Sequence, residues 1–189
     1  MPRKIECWTD HIIGEPQDLA KSLVGYSERE IVIITCSIID SLLADLITSK
    51  LRNDEKEVES FLGLNSDGRA PLGSFGSRIQ AAYLLEMISA DDFRICQIVK
   101  GIRNLFAHRA IVSFANEGIV SKIRQITEII RDRGPSEVKP DRKYSTKEEL
   151  TQALAELNYS KDACVGYYIG TASMLIKKLH EACATKATR

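Results

Sequence analysis

The sequence predicts an all-α fold: a compact bundle of about six helices, followed by a C-terminal helical hairpin or one long helix. Three observations predict it. Apolar residues recur at three- and four-residue spacing in almost every segment between breakers, the stripe of a helix with one buried face. Serine, aspartate or asparagine precedes these stripes, twice as a capping box, in which a serine oxygen takes an orphan N–H and a glutamate reaches back. The β-branched stretch Ile31 to Ile34 lies in a run free of glycine and proline that opens on such a box and is too long for a strand.

Taken in order, Pro16 suits the first turn of a short helix ending near Gly25. Ser27-Glu28-Arg29-Glu30 opens a long buried helix to about Leu51, and Asp54 to Glu59 starts a short one that stops before Gly63. Leu64 to Gly76, rich in Gly, Ser, Asp and Pro, reads as a loop of a length that is often functional. Helix resumes by Ser77 and runs to about Ile88, with Ile79, Ala82, Tyr83 and Met87 in its stripe. Ser89 starts the next helix, which carries Ile95, Ile98, Val99, Ile102 and Leu105. Asn116 caps another that ends at Gly134-Pro135.

Residues 1–134 therefore read as a helical core, 135–144 as a polar linker and 145–189 as a helical appendage. Ser145-Thr146-Lys147-Glu148 is a second capping box, Leu150, Ala153, Leu154 and Leu157 form a stripe, and Ser160 caps a last helix reaching about Cys183. Such an appendage cannot bury its own face and must pack on the core or on a partner chain.

Composition limits the function. The 189 residues carry 26 Lys plus Arg and 26 Asp plus Glu, a formal net charge of zero. That argues against a chain built to coat nucleic acid without specificity, which needs excess positive charge. The five cysteines, Cys7, Cys36, Cys96, Cys164 and Cys183, include no C-x-x-C pair. Cys36 and Cys96 lie in apolar runs, so the reading is buried thiols in a reducing compartment with no zinc site. Met1 to Glu6 is polar and leads into no secretory signal. Ile31 to Ile47 is interrupted by Thr35, Ser37, Asp40 and Asp45, and reads as too short and too polar to span a bilayer. The expectation is a soluble, cytoplasmic protein with no membrane contact, no metal and no cofactor.

The string that could carry chemistry is Lys100 to Arg109. Asn104 and His108 are four positions apart and face each other on a helix. Arg103 and His108 are five apart, which is about 140° around an ideal helix, so they converge only if the helix ends or loosens near Ala107. A histidine can move a proton near neutral pH, and an arginine can fork onto phosphate oxygens. Together they suit metal-independent cleavage of RNA through its 2′-hydroxyl, with Asn104 orienting either group. The same residues can instead tie down a loop, an arginine bonding carbonyls of the 64–76 segment and His108 meeting its own helix end.

With their surroundings these residues resemble a family. Arg69-Ala70-Pro71-Leu72-Gly73-Ser74-Phe75, Ser77-Arg78-Ile79, Ala82-Tyr83, Ile88-Ser89, Ile102-Arg103-Asn104 and Phe106-Ala107-His108 look like the mannitol operon repressor (MltR) family. The likeness covers some 40 residues well and 27–133 loosely. It implies an all-helical fold and a role in bacterial transcriptional regulation without a helix-turn-helix. Glu86 and Gly101 stand where the pattern leads one to expect glycine and a basic residue.

Arg103-x4-His108 also resembles the Arg-x4–6-His signature of HEPN domains, several of which are metal-independent ribonucleases. That resemblance implies a composite site across a dimer, with Arg103 stabilising the transition state, His108 as acid or base and Asn104 in support.

Arg69, Phe75, Arg78 and Arg109 are candidates to line a binding groove beside Arg103, although Arg78 also reads as half of a structural ion pair, and Phe75 as an anchor of its loop. Tyr167 and Tyr168 point to close helix packing, at a dimer interface in one reading; Arg124, Arg131 and Arg133 alternate with acids as on a solvated face. His11 and His180 read as surface residues. The functional expectation is a regulator acting through protein–protein contacts, as a homodimer with a further protein partner. Specific duplex DNA binding by the chain alone is not expected, and RNA is allowed. The alternative is the HEPN-type ribonuclease.

Overall fold

The computed structural model describes residues 19–63, 70–133 and 159–187. Pro16, the 64–69 segment with Arg69, Gly134-Pro135, the 135–144 linker and the 145–148 capping box lie outside them, as do Cys7 and His11. The described residues form helices and turns and contain no strand. The helices are α1 (Leu19–Ser22), α2 (Glu28–Thr48), α3 (Glu55–Leu62), α4 (Phe75–Leu84), α5 (Ala90–His108), α6 (Glu117–Arg133) and α7 (Lys161–Ala187).

The expected all-α architecture is what forms, and it is organised around α2. That helix starts at the expected place. Ser27 accepts the Glu30 N–H and the Glu30 carboxylate accepts the Ser27 N–H, a reciprocal cap. Its apolar residues are not confined to one stripe: Ile31, Val32, Cys36, Ile38, Ile39, Leu42, Leu43, Leu46 and Ile47 are all buried. A helix apolar on so many sides has to be surrounded. α4, α5 and α7 pack against it, α5 continues the contact to α6, and α6 closes on α7. By length and composition alone α2 would cross a membrane, since its best window has mean hydropathy 2.0 over a 21-residue helix. The shorter stretch from Ile31 to Ile47 understates this. What distinguishes α2 here is its cover, with 61% of that window buried by neighbouring helices.

The last helix is part of the same core. Tyr168, Ala172, Leu175, Ile176, Leu179 and Cys183 form a buried stripe on α7, directed at α2. Tyr168 is fully buried in close helix packing, as expected, but within the chain and not at an interface. Its hydroxyl lies 3.0 Å from Thr35 Oγ1 and 3.4 Å from Cys36 Sγ. The Thr35 hydroxyl already donates to the Ile31 carbonyl at 2.7 Å. Tyr168 therefore donates to Thr35, and its one polar atom is satisfied in the interior.

The helix starts follow local capping, and two boundaries differ from expectation. α4 begins at Phe75 rather than Ser77, because Ser74 and Ser77 cap each other: each side-chain oxygen accepts the other's N–H. A serine at the third helical position replaces the glutamate of the usual signature, so the pattern is easily missed. α4 also ends earlier, at Leu84. The Met87 N–H returns to the Ala82 carbonyl and the Glu86 N–H to that of Tyr83. These two bonds make a Schellman turn, which places Glu86 in the left-handed region at φ +54. Glycine is the residue that adopts this conformation without strain. The family resemblance leads one to expect glycine at this position.

Asp54 and Ser89 cap α3 and α5, and Asn116 accepts the Gly118 N–H at the head of α6. Gly63, at φ +69, closes α3 in the left-handed conformation.

Replacing Glu86 by glycine removes the left-handed penalty. The Glu86→Gly protein is expected to be more stable by about 1 kcal/mol, read as a higher urea midpoint at unchanged m value. An unchanged or lower midpoint would show that the Glu86 side chain makes a compensating contribution.

Candidate functional site

The Lys100–Arg109 string forms the C-terminal half of α5 and its exit. The helix does not loosen near Ala107. It runs through His108, and the Arg109 N–H closes the last turn on the Leu105 carbonyl at 3.1 Å. Arg103 and His108 therefore keep the angular separation of about 140° that a regular helix imposes. Arg103 is half-buried and turned towards α2, where its charge acts on Asp40 and on the Cys36 thiol. Asn104 and His108 are exposed and lie one turn apart on another face. Arg103 and His108 thus lie on different sides of α5, of which His108 is the last helical residue.

Arg78 is the arginine that ties down the loop. It is buried, donating from Nε to the Leu72 carbonyl at 2.9 Å and from Nη2 to that of Leu62 at 2.8 Å. Its Nη1 pairs with Asp40 Oδ2 at 2.9 Å. One side chain thus joins α4 to α2, to the end of α3 and to the segment that leads into α4. Phe75 packs half-buried against the core beside it. Neither residue is free to line an open groove, while Arg109 is exposed at the end of α5. Arg69 lies outside the described residues.

Burial raises the Asp40 carboxyl above the ordinary aspartate range, and the charges of Arg78 and Arg103 offset part of that rise. Burial also pushes the Cys36 thiol up to about 11 and that of Cys96 to about 12, which makes both poor nucleophiles. They are packing residues, as their apolar surroundings in the sequence indicate.

A second set of charges holds the far end of α5. Arg133 reads from sequence as part of a solvated face, yet its side chain is 3% exposed. Its Nε lies 3.3 Å from Asp91, and its Nη2 lies 2.9 Å from Asp92 Oδ1 at an angle outside the hydrogen-bond range. Lys178 of α7 reaches Asp92 at 3.6 Å. The alternation of signs along α6 conceals this, because the partners are more than forty positions away in the chain. Arg124 sits 4.8 Å over the Tyr159 ring, and Tyr159 in turn meets Thr127. His180 is half-buried on α7.

The residue missed by the sequence reading is Arg29. From the first turn of α2 it donates to the carbonyls of Phe106, of Arg109 at 2.7 Å and of Ala110 at 3.0 Å. These are orphan acceptors at the end of α5. A cation there is also favoured by the helix dipole, the role considered above for His108. Next to it Glu28 accepts the Phe114 N–H at 2.7 Å and pairs with Lys161 at 2.6 Å. Glu28 and Arg29 appear in the sequence as a capping box only. Their second task depends on residues some eighty positions on.

The remaining features are two lysines beside glycines. A Cβ on Gly76 would lie 3.2 Å from the Lys100 ammonium, and one on Gly101 would lie 3.1 Å from that of Lys122. Lys122, from α6, therefore sets its charge over the position where a basic residue is expected.

These features define a class: an all-helical bundle built around one buried helix, with its polar string stiffened by neighbouring helices. No protein-family model matches the chain, and no curated protein matches it. Among solved structures, the X-ray structure of the MtlR-HPr complex from Escherichia coli contains a chain with this fold. The match covers 86% of this chain and 96% of that one, with a TM-score of 0.56 at 17% identity. The fold is thus MtlR-like.

Two outcomes follow. Arg29→Ala leaves three carbonyls at the end of α5 without their donor, and is expected to lower stability by about 1–3 kcal/mol. Hydrogen exchange should rise in residues 106–116 before it rises elsewhere. Exchange unchanged in that segment would mean the fork is not what holds it. For Asp40, ionising a carboxyl whose folded value is raised costs the native state. Its contribution is most favourable below the usual aspartate range and is lost as pH rises through the raised value. The stability difference between the wild type and Asp40→Asn should therefore shift against the wild type as pH rises from below the ordinary aspartate range through the raised value. A shift in its favour would contradict this.

Proposed function

We propose that the chain is a bacterial regulatory protein of the mannitol-repressor kind, which acts through contacts with other proteins. The observation that carries this reading is the fold shared over most of both chains with a component of the MtlR-HPr complex, a protein–protein assembly. The motif resemblance over residues 69–108 supports it independently, since it comes from residues rather than from shape. Zero net charge agrees with a protein partner rather than a duplex coated by charge alone. The α5 string then serves recognition and not catalysis. Arg78 and Arg29 are occupied in holding the fold, and Arg103 faces Asp40 rather than His108.

The test is titration of the purified chain with Escherichia coli HPr by calorimetry. Saturable binding in the micromolar range is expected, and no heat at about 100 µM HPr would count against the reading. Incubation with RNA in EDTA should leave the RNA intact. Cleavage lost in His108→Ala would replace this proposal with the ribonuclease.

A further inference from the structure

From Phe93 to Asn116 the chain carries Arg94, Lys100, Arg103, His108 and Arg109, and no aspartate or glutamate. The next acid is Glu117, in the first turn of α6. In a chain with equal numbers of each sign, this is a local separation of charge. The fold adds to it. Lys100, Asn104 and His108 follow one side of α5 over about 12 Å, with the half-buried Lys100 reaching over Gly76 of α4, and Lys122 brings its ammonium over Gly101 from α6. Among the described residues no side chain of Lys100, Asn104, His108, Arg109 or Lys122 has an ion pair or hydrogen bond, whereas Arg78, Arg133 and Lys178 are each paired with aspartates.

Just beyond the helix stands Ile111, 96% exposed. The segment that carries it is tied by Arg29 at Phe106, Arg109 and Ala110, and by Glu28 at Phe114. Phe114 is buried between the rings of Phe106 and Tyr168. The isoleucine is thus held out by a braced connection, at the end of a strip of unpaired cations. A preorganised aliphatic anchor beside cations matches the anatomy of a protein interface. The strip has no exposed aromatic ring on which bases could stack, as single-stranded nucleic acid sites use.

We propose that this face, Lys100, Asn104, His108 and Arg109 with Lys122 and Ile111, docks an acidic segment of a protein partner. Its carboxylates would meet the cations and an apolar side chain would meet Ile111. The inference rests on the protein-contact reading above and names the surface that would serve it. Complementary charge would speed encounter and set register, and Ile111 would supply the apolar contact.

The probe is a fluorescein-labelled peptide of glutamates flanking two leucines, read by anisotropy against the full chain. Binding that weakens with salt is expected. Lys100→Glu with Lys122→Glu should weaken it about tenfold, and Ile111→Ser about fivefold. Lys56→Glu, on exposed α3, should leave it unchanged. Equal affinity in the double variant, or loss with Lys56→Glu alone, would overturn the assignment. So would a 20-nucleotide oligouridine that binds the same residues more tightly than the peptide, since the face would then be a nucleic-acid site. HPr binding retained by a chain that ignores the peptide would remove this surface and leave the regulatory reading standing. Peptide binding without HPr binding would do the reverse.

Discussion

A 21-residue helix that is apolar around most of its circumference cannot sit on a surface, and this constraint shapes the molecule. α2 buries eleven of its residues, so it needs partners on several sides at once. α4, α5 and α7 supply them. Each contributes a narrower stripe, as expected of helices with one face to the core and one to solvent. The order of packing follows from this need. α7, the last described helix, lies beside α2, one of the first.

Hydrophobic area is not directional, and the ion pairs supply what it lacks. Arg78 joins α4 to Asp40 on α2, and Arg133 with Lys178 joins α6 and α7 to Asp92 on α5. Replacing such a pair with well-packed apolar groups is often neutral, while removing one member alone is costly. Their contribution here is to the registry of the helices. Slide α4 by one turn and Arg78 loses Asp40 and the carbonyls of Leu62 and Leu72 together. Thr35 and Tyr168 do the same for α2 against α7, through a hydroxyl pair sealed in the core.

The basic residues show how position within the fold assigns roles to similar side chains. Arg78 and Arg103 both face the Asp40 carboxylate, one in contact and the other through its field. Arg29 replaces the lost hydrogen bonds of the last turn of α5. Among the described residues the side chains of Lys100, Lys122, His108 and Arg109 make no ion pair or hydrogen bond. The cations that hold the fold, Arg29, Arg78 and Arg133, come from α2, α4 and α6, and each is set by the acceptors that the fold brings to it. Glu86 is the converse case, a residue at odds with its own backbone inside an otherwise regular turn.

What depends on near neighbours was readable from the chain itself. The caps at Ser27, Asp54, Ser89 and Asn116, the left-handed stop at Gly63 and the stripes of α5 and α6 all lie within one or two turns of the residues that cause them. The all-α class followed from those local signals, and so did the burial of Cys36 and Cys96. The serine pair that starts α4 was local too, but its chemistry departs from the usual spelling. Other features waited for the tertiary structure. The Arg29 fork, the burial of Arg133, the inward turn of Tyr168 and the divergence of Arg103 from His108 each depend on groups from distant helices or on an unbroken helical twist. Sequence order carries the propensity of a segment to coil and to hide one side. Which arginine meets which carboxylate is decided only when apolar faces close and leave a charge no water to turn to.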